Sequence, residues 1–167
     1  MKAFELTDKK EFMHLLLRSE IFDNFLLSEA SIHTSAKYDI DGRINKSFYS
    51  ADELTELQLE HLDYLPYSRL RPVCFELIKG RRTPTYFKLV LMLSPANLQN
   101  TIQASGTSIL PADILAAYLN IYYQNGQLML TTGVSYRTFI TDKSFEKEWE
   151  KFTINFLNRK NVSFSEI

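Results

Sequence analysis

Hydrophobic residues near the start of the chain recur with the spacing of one helix face. Thr7-Asp8 precedes them and Glu11 lies three residues after Asp8, a pattern typical of a helix N-terminus. The apolar residues of this face are Phe12, Leu15 and Leu16. We therefore predict a first helix that ends between Arg18 and Phe22.

From Phe25 to Ile40 the pattern changes to period two, which predicts a strand covered on one side only. One face would hold Ala30, Ile32, Thr34, Ala36, Tyr38 and Ile40. Asp41-Gly42 then predicts a hairpin turn. A two-residue loop would oppose Lys37 to Lys46, so we favour a three-residue loop with Gly42 in a left-handed conformation. The resulting pairs are Asp39 with Arg43, Tyr38 with Ile44, and Thr34 with Phe48.

Ser50 and Glu53 form the pattern of a capping box, and the leucines after them predict a helix that Pro66 stops at Leu65. A second hairpin is predicted from Val73 to Leu93, with its tip at residues 80–84. Its pairs would be Val73 with Leu91, Phe75 with Leu89, Leu77 with Phe87, and Glu76 with Lys88. This register satisfies both faces of the ribbon.

The second half of the chain carries further boundary signals. Ser94-Pro95 predicts a helix start and Gly106 its end, while Pro111 begins a single turn at most. A third hairpin turns at Asn125-Gly126, with a bulged continuation after Gly133. Its predicted pairs are Ile121 with Leu130 and Tyr123 with Leu128.

A last helix is predicted with Ser144 as its N-cap, and the polar tail from Asn161 is expected to fray. The apolar stripe of this helix is Phe145, Trp149, Phe152 and Phe156. We expect its aromatic residues to share a core with the second hairpin, through Phe75, Leu77, Phe87, Leu89 and Leu91.

These elements together predict an α+β fold on a largely antiparallel sheet. Three hairpins would build the sheet, and helices would lie near the N-terminus, in the middle and at the C-terminus. No linker or low-complexity segment interrupts the chain, so we expect a single domain over residues 1–167.

Composition narrows the class of protein. The chain of 167 residues is 45% hydrophobic and 23% charged, which excludes a disordered or fibrous protein. Its net charge of −1 argues against a bulk electrostatic nucleic-acid binder. The one cysteine, Cys74, excludes an intrachain disulfide and a cysteine zinc site and suits a reducing cytosol. Neither a signal peptide nor a membrane-spanning run is visible, so we expect a cytoplasmic protein.

Residues that could carry catalytic or metal chemistry are few. The chain lacks the common nucleotide-binding, serine-hydrolase and zinc-protease motifs. His14, His33 and His61 are far apart in sequence and would need to converge in space, ideally beside an acid such as Asp39. We interpret them as surface residues and Cys74 as a small buried group. We therefore expect no catalytic residue, no metal ligand and no cofactor.

Charge is unevenly distributed in the middle of the chain. Residues 50–63 contain five acids and no Lys or Arg, whereas residues 69–88 contain six Lys and Arg residues and a single acid. Arginine presents a fork of donors that suits phosphate or carboxylate, and tyrosines near this basic segment offer stacking surfaces. The candidate contacts for an anionic ligand or an acidic partner are Arg69, Arg71, Lys79, Arg81 and Arg82. The alternative is a solvated acidic face beside a hairpin whose charged tip prevents aggregation.

Five stretches carry a resemblance to a known family. They are residues 25–30, 40–49, 70–80, 83–88 and 123–126, with sequences such as FLLSEA, IDGR and LRPVCFELIKG. With these stretches the chain resembles, over nearly its whole length, an uncharacterised family of cytosolic proteins from Clostridia and related Firmicutes. The resemblance implies a bacterial cytosolic setting and no established activity.

Three classes of function remain open at this point. We expect a non-enzymatic binding or accessory module that uses the basic hairpin for an acidic protein surface or an anionic ligand. A nucleic-acid-associated protein is an alternative, which the net charge disfavours. An enzyme with an unrecognised site in a cleft between the sheet and a helix is a further alternative. A concave pocket with several converging polar groups would favour the enzyme.

Overall fold

A seven-stranded antiparallel sheet forms the centre of the protein, in a computed structural model that describes residues 1–167. The strands are β1 (Ala3–Leu6), β2 (Phe25–His33), β3 (Lys37–Asp41), β4 (Tyr86–Leu93), β5 (Ile114–Gln124), β6 (Gln127–Tyr136) and β7 (Phe164–Glu166). Their order across the sheet is β3-β2-β4-β5-β6-β1-β7. The predicted α+β class with a largely antiparallel sheet is confirmed.

Five helices accompany the sheet. They are α1 (Lys9–Arg18), α2 (Ala51–Glu56), α3 (Tyr67–Ile78), α4 (Pro95–Ser105) and α5 (Ser144–Arg159), with short 3-10 turns at Lys46–Phe48 and Pro111–Asp113. The predicted caps are confirmed at Asp8, at Ser50 with Glu53, and at Ser94, and Gly106 ends α4 in a left-handed conformation. No helix combines the length and the apolar character needed to cross a membrane.

The main hydrophobic core lies between the helices and one face of the sheet. Phe87, Leu89 and Leu91 of β4 are buried there together with Trp149 of α5, as the sequence predicted. Phe75 packs against the same core from α3 rather than from a strand. The side chains on the opposite face of β5 and β6 lie outside this core, and we call that side of the sheet the open face.

The first predicted hairpin is wrong in its turn and its register. The chain reverses at residues 34–36, so that Ala30 pairs with Ile40 and Ile32 with Tyr38. A single strand and a hairpin centred on residue 35 both place the even-numbered residues on one face. The alternation of apolar and polar residues therefore could not distinguish the two structures. Gly42 is absent from the positive-φ glycines and instead lies against the backbone of Leu27.

The second predicted hairpin is also wrong, because Tyr67–Ile78 is helix α3. Tyr67, Cys74 and Ile78 are its buried residues, and their spacing of seven and four positions is that of one helix face. The alternate positions that suggested a strand include Val73, which is exposed. Strand β4 pairs instead with β2 and β5.

The third hairpin is confirmed, with a two-residue turn and the predicted pairs. The expected bulge lies on β5, between Ile114 and Ala116, rather than after Gly133. Three other boundaries differ from prediction. Helix α2 ends at Glu56 rather than at Leu65, Ser144 is the first residue of α5 and not its cap, and the tail forms strand β7 against β1.

Candidate functional site

The basic residues singled out in the sequence lie on α3 and in the loop after it, and two of them already have partners. Arg71 makes a two-pronged ion pair with Asp23, with both N–O distances at 3.0 Å. Lys79 binds Glu76 at 2.7 Å and lies over the ring of Phe75. Arg71 in particular is half-buried in this role, so it is held by the fold rather than free to contact a ligand.

Arg69, Arg81 and Arg82 are exposed and make no ion pair. The rise of the helix places Arg69 about 14 Å from the end of α3, where the loop with Arg81 and Arg82 begins. The structure therefore does not gather the five predicted residues into one site. Whether the loop arginines contact a partner stays a prediction.

The three histidines do not converge, and no group of three or more His, Cys, Asp or Glu residues is arranged to hold a metal ion. His33 does lie near Asp39, through Ser31. The Ser31 hydroxyl donates to Asp39 Oδ1 at 2.8 Å and lies 3.3 Å from His33 Nε2. This hydrogen bond lowers the pKa of Asp39. The serine lies between the histidine and the carboxylate, so Asp39 does not orient the imidazole as the acid of a nucleophilic triad does.

The Cys74 thiol is fully buried, and this burial raises its pKa to about 11. At pH 8 a thiol of that pKa is about 0.1% ionised, against about 10% for one at the usual 9.0. We expect native protein to react with a disulfide reagent such as Ellman's reagent at least about 100-fold more slowly than urea-unfolded protein. Equal rates in the two states would contradict the buried position of Cys74.

A groove of about 590 Å³ lies between α4 and α5, and we call it the α4–α5 groove. Its lining comes from facing stripes of the two helices and from the segment at the start of β2. On α5 the stripe runs from Glu148 to Arg159 with helical spacing. The volume lies in the range of pockets that hold small molecules.

The floor of the groove is aromatic. Phe156 contacts Phe25 with ring centroids 5.9 Å apart and Phe22 at 5.5 Å. Phe152 stacks on Trp149 with centroids 5.5 Å apart. These contacts anchor both groove-lining rings of α5 to the core, so the apolar floor is held in place without a ligand.

Amide side chains form much of the wall. They are Asn24, Asn97, Asn100 and Asn155. Asn97 Nδ2 donates a long hydrogen bond of 3.4 Å to the Asn24 carbonyl, which ties the start of α4 to the loop before β2. An amide offers both donors and acceptors, so this wall can hydrogen-bond a neutral or an anionic polar group.

Three cations line the groove without a counter-ion in the chain. Lys151, Arg159 and Lys160 are exposed and make no ion pair, and Glu148 is the single acid of the lining. The excess of positive charge beside an aromatic floor suits a ligand that joins an apolar body to an anionic group.

Sequence reasoning missed this groove, although the residues that α5 contributes to it follow a recognisable helical pattern. The positions Glu148, Lys151, Asn155 and Arg159 follow the same helical spacing as the aromatic stripe of α5 and lie beside it. The facing stripe comes from α4, whose Asn97 and Thr101 are about 50 residues earlier in the chain. No local pattern reveals that these two helices lie side by side.

Comparison with known proteins agrees with the resemblance noted in the sequence. A family model described as a family of unknown function, DUF5721, matches residues 14–165. No curated protein matches the chain. No solved structure matches it either. The matched segment covers β2 to β6, every helix from α2 to α5, and the whole α4–α5 groove, and the chain therefore belongs to the DUF5721 family of unknown function.

Proposed function

We propose that this protein is a non-enzymatic binding module of a bacterial cytosol, and that its α4–α5 groove binds a small organic anion. The observation that carries the proposal is the combination of a preformed aromatic floor with three unpaired cations at its rim. The proposal keeps the anionic ligand expected from the sequence but moves it from the predicted basic hairpin to the groove.

The ligand expected there has an apolar or aromatic body and one acidic group. Phe152 and Phe156 would cover the body, because aromatic faces bury large apolar area and stack on flat rings. Lys151 and Arg159 lie on the same stripe of α5 as these rings, where they would face the acidic group. An arginine can hold a carboxylate or phosphate through two parallel hydrogen bonds.

Binding fits the groove better than catalysis does. Its lining contains neither histidine nor cysteine, and its single carboxylate is that of Glu148. General acid–base and nucleophilic catalysis commonly pair a nucleophile or acid with a second titratable group within hydrogen-bond reach. The converging groups are mostly amides and cations, which orient and neutralise a ligand.

The groove can be probed with 8-anilinonaphthalene-1-sulfonate, an aromatic anion that fluoresces when its ring system is buried. We expect saturable binding to the wild type that weakens with added salt. Lys151→Glu and Arg159→Glu should each weaken binding about tenfold, which corresponds to about 1.4 kcal/mol. Lys147→Glu is the matched control, because Lys147 is an exposed residue of α5 outside the groove; it should bind as the wild type does.

Three results would contradict the proposal. One is wild-type protein that gives no saturable signal, and another is a pair of groove variants that bind as tightly as Lys147→Glu. The third is loss of binding in the Arg81→Glu, Arg82→Glu variant with the groove variants unaffected, which would assign the anion to the loop after α3. Thermal unfolding of every variant must match the wild type, since the dye also binds partly unfolded protein.

A further inference from the structure

The open face of the sheet has the composition of a protein–protein interface. Residues 114–136, which form β5 and β6, contain no Asp, Glu, Lys or Arg. Tyr118, Asn120 and Tyr122 of β5 alternate with core residues and point away from the helices. Interface centres are depleted of charge and enriched in tyrosine; Met129 of β6 lies on the same face but is largely buried between its neighbours, at 9% exposed.

Two charged residues flank this neutral surface in one cross-strand row. Lys88 of β4 pairs with Tyr122, Tyr122 with Met129, and Met129 with Glu5 of β1. Because cross-strand partners share a face, a lysine, a tyrosine, a methionine and a glutamate follow one another across the open face. Glu5 makes no ion pair within the chain, and Lys88 has only a loose one, 3.9 Å from Glu29.

We propose that a second copy of this chain packs against the open face, about a two-fold axis that runs parallel to the strands between β5 and β6. Such an axis exchanges β4 with β1 and β5 with β6. Lys88 of each copy then faces Glu5 of the other, and Tyr122 faces Met129. The row is thus self-complementary, which an isologous dimer requires.

The next rows on the same face fit the same axis. Tyr118 pairs with Gly133, and Asn120 pairs with Thr131. The two-fold axis places each Tyr118 ring over Gly133 of the other copy, where the missing side chain leaves room for it. The resulting arrangement is a sandwich of two sheets with closely aligned strands, within the limit of about 30° that aligned sandwiches keep.

The area available suggests a dimer of moderate affinity. Strands about 4.8 Å apart and residues about 3.4 Å apart give the three rows on four strands an extent of about 20 by 20 Å, or about 400 Å² per copy. Standard stable interfaces bury about 800 Å² per partner. The α4–α5 groove lies on the opposite side of the sheet, so the dimer leaves both grooves accessible and does not depend on their function.

Sedimentation velocity of the full chain tests the proposal directly. We expect wild-type protein to shift from monomer to dimer between about 1 and 500 µM, the range expected for an interface of this size. Lys88→Glu and Glu5→Lys should each remain monomeric about tenfold higher in concentration, because each places two like-charge pairs across the axis. Lys147→Glu, on the helix side, should dimerise as the wild type does.

The decisive measurement is a mixture of Lys88→Glu protein with Glu5→Lys protein. In the mixed dimer every charge again faces its opposite, so an equimolar mixture should dimerise as well as the wild type. This rescue cannot arise from misfolded variants. A wild type that stays monomeric at about 500 µM would overturn the proposal, and so would a mixture that stays monomeric where the wild type dimerises.

Discussion

Replacing Trp149 with alanine should lower the free energy of unfolding by about 3–5 kcal/mol. The Trp149 side chain is 1% exposed and belongs to the main core. Its indole Nε1 donates to the Tyr118 carbonyl oxygen at 3.1 Å, and its ring stacks on Phe152. The variant therefore loses buried area, leaves a cavity and removes the partner of a backbone carbonyl, and the three effects act in the same direction.

The measurement is urea unfolding followed by far-ultraviolet circular dichroism, because the variant lacks the chain's one tryptophan. Phe139→Ala is the matched aromatic control, since Phe139 is 92% exposed; its unfolding midpoint should barely change. A Trp149→Ala midpoint equal to that of the wild type would show that α5 does not dock on the sheet through this residue.

Replacing Gly42 with alanine should cost about 3 kcal/mol, the upper end of typical overpacking effects. A Cβ at this position would lie 1.8 Å from the Leu27 carbonyl oxygen, so the two backbones would have to separate. Gly42 N donates to the Ser28 oxygen, and the Gly42 oxygen accepts from Leu65 N, both at 2.9 Å. Separation would stretch both hydrogen bonds and would displace residues 64–66 from their position beside β2.

Gly133→Ala provides the control for this prediction. The nearest atoms to an added Cβ at Gly133 are 3.8 Å away, which is ordinary contact, and its φ is not positive. At a concentration at which the chain is monomeric, alanine there should be neutral or slightly stabilising, because glycine weakens a strand interior. Equal thermal stability of the Gly42→Ala protein and the wild type would refute the close approach of Gly42 to Leu27.

At Gly42 the sequence and the structure lead to the same prediction for different reasons. The left-handed conformation predicted for Gly42 from the Asp41-Gly42 turn would make a side chain there costly. In the structure the turn lies at residues 34–36 and the glycine is needed for its missing Cβ. A glycine required for space and one required for its dihedral angle look the same in a sequence.

Features set by interactions between near neighbours along the chain were predictable. The caps at Asp8, Ser50 and Ser94 depend on a side chain and a backbone N–H three residues apart. The Asn125-Gly126 turn sets its own register, because its two residues take positive φ and match the strand twist. The stripe of α5 likewise follows from helical spacing alone.

Features that depend on distant partners were decided by the tertiary structure. Residues 73–79 contain apolar positions that satisfy both a strand and a helix, and the position of β4 between β2 and β5 leaves them no strand partner. Helix α2 ends before Leu65 for a related reason. The Leu65 carbonyl oxygen accepts a hydrogen bond from Leu27 N of β2, a distant partner that the local sequence does not reveal. The α4–α5 groove and the row from Lys88 to Glu5 join segments far apart in sequence. Local pattern encodes which faces are apolar, whereas the packing of the whole chain decides which faces meet.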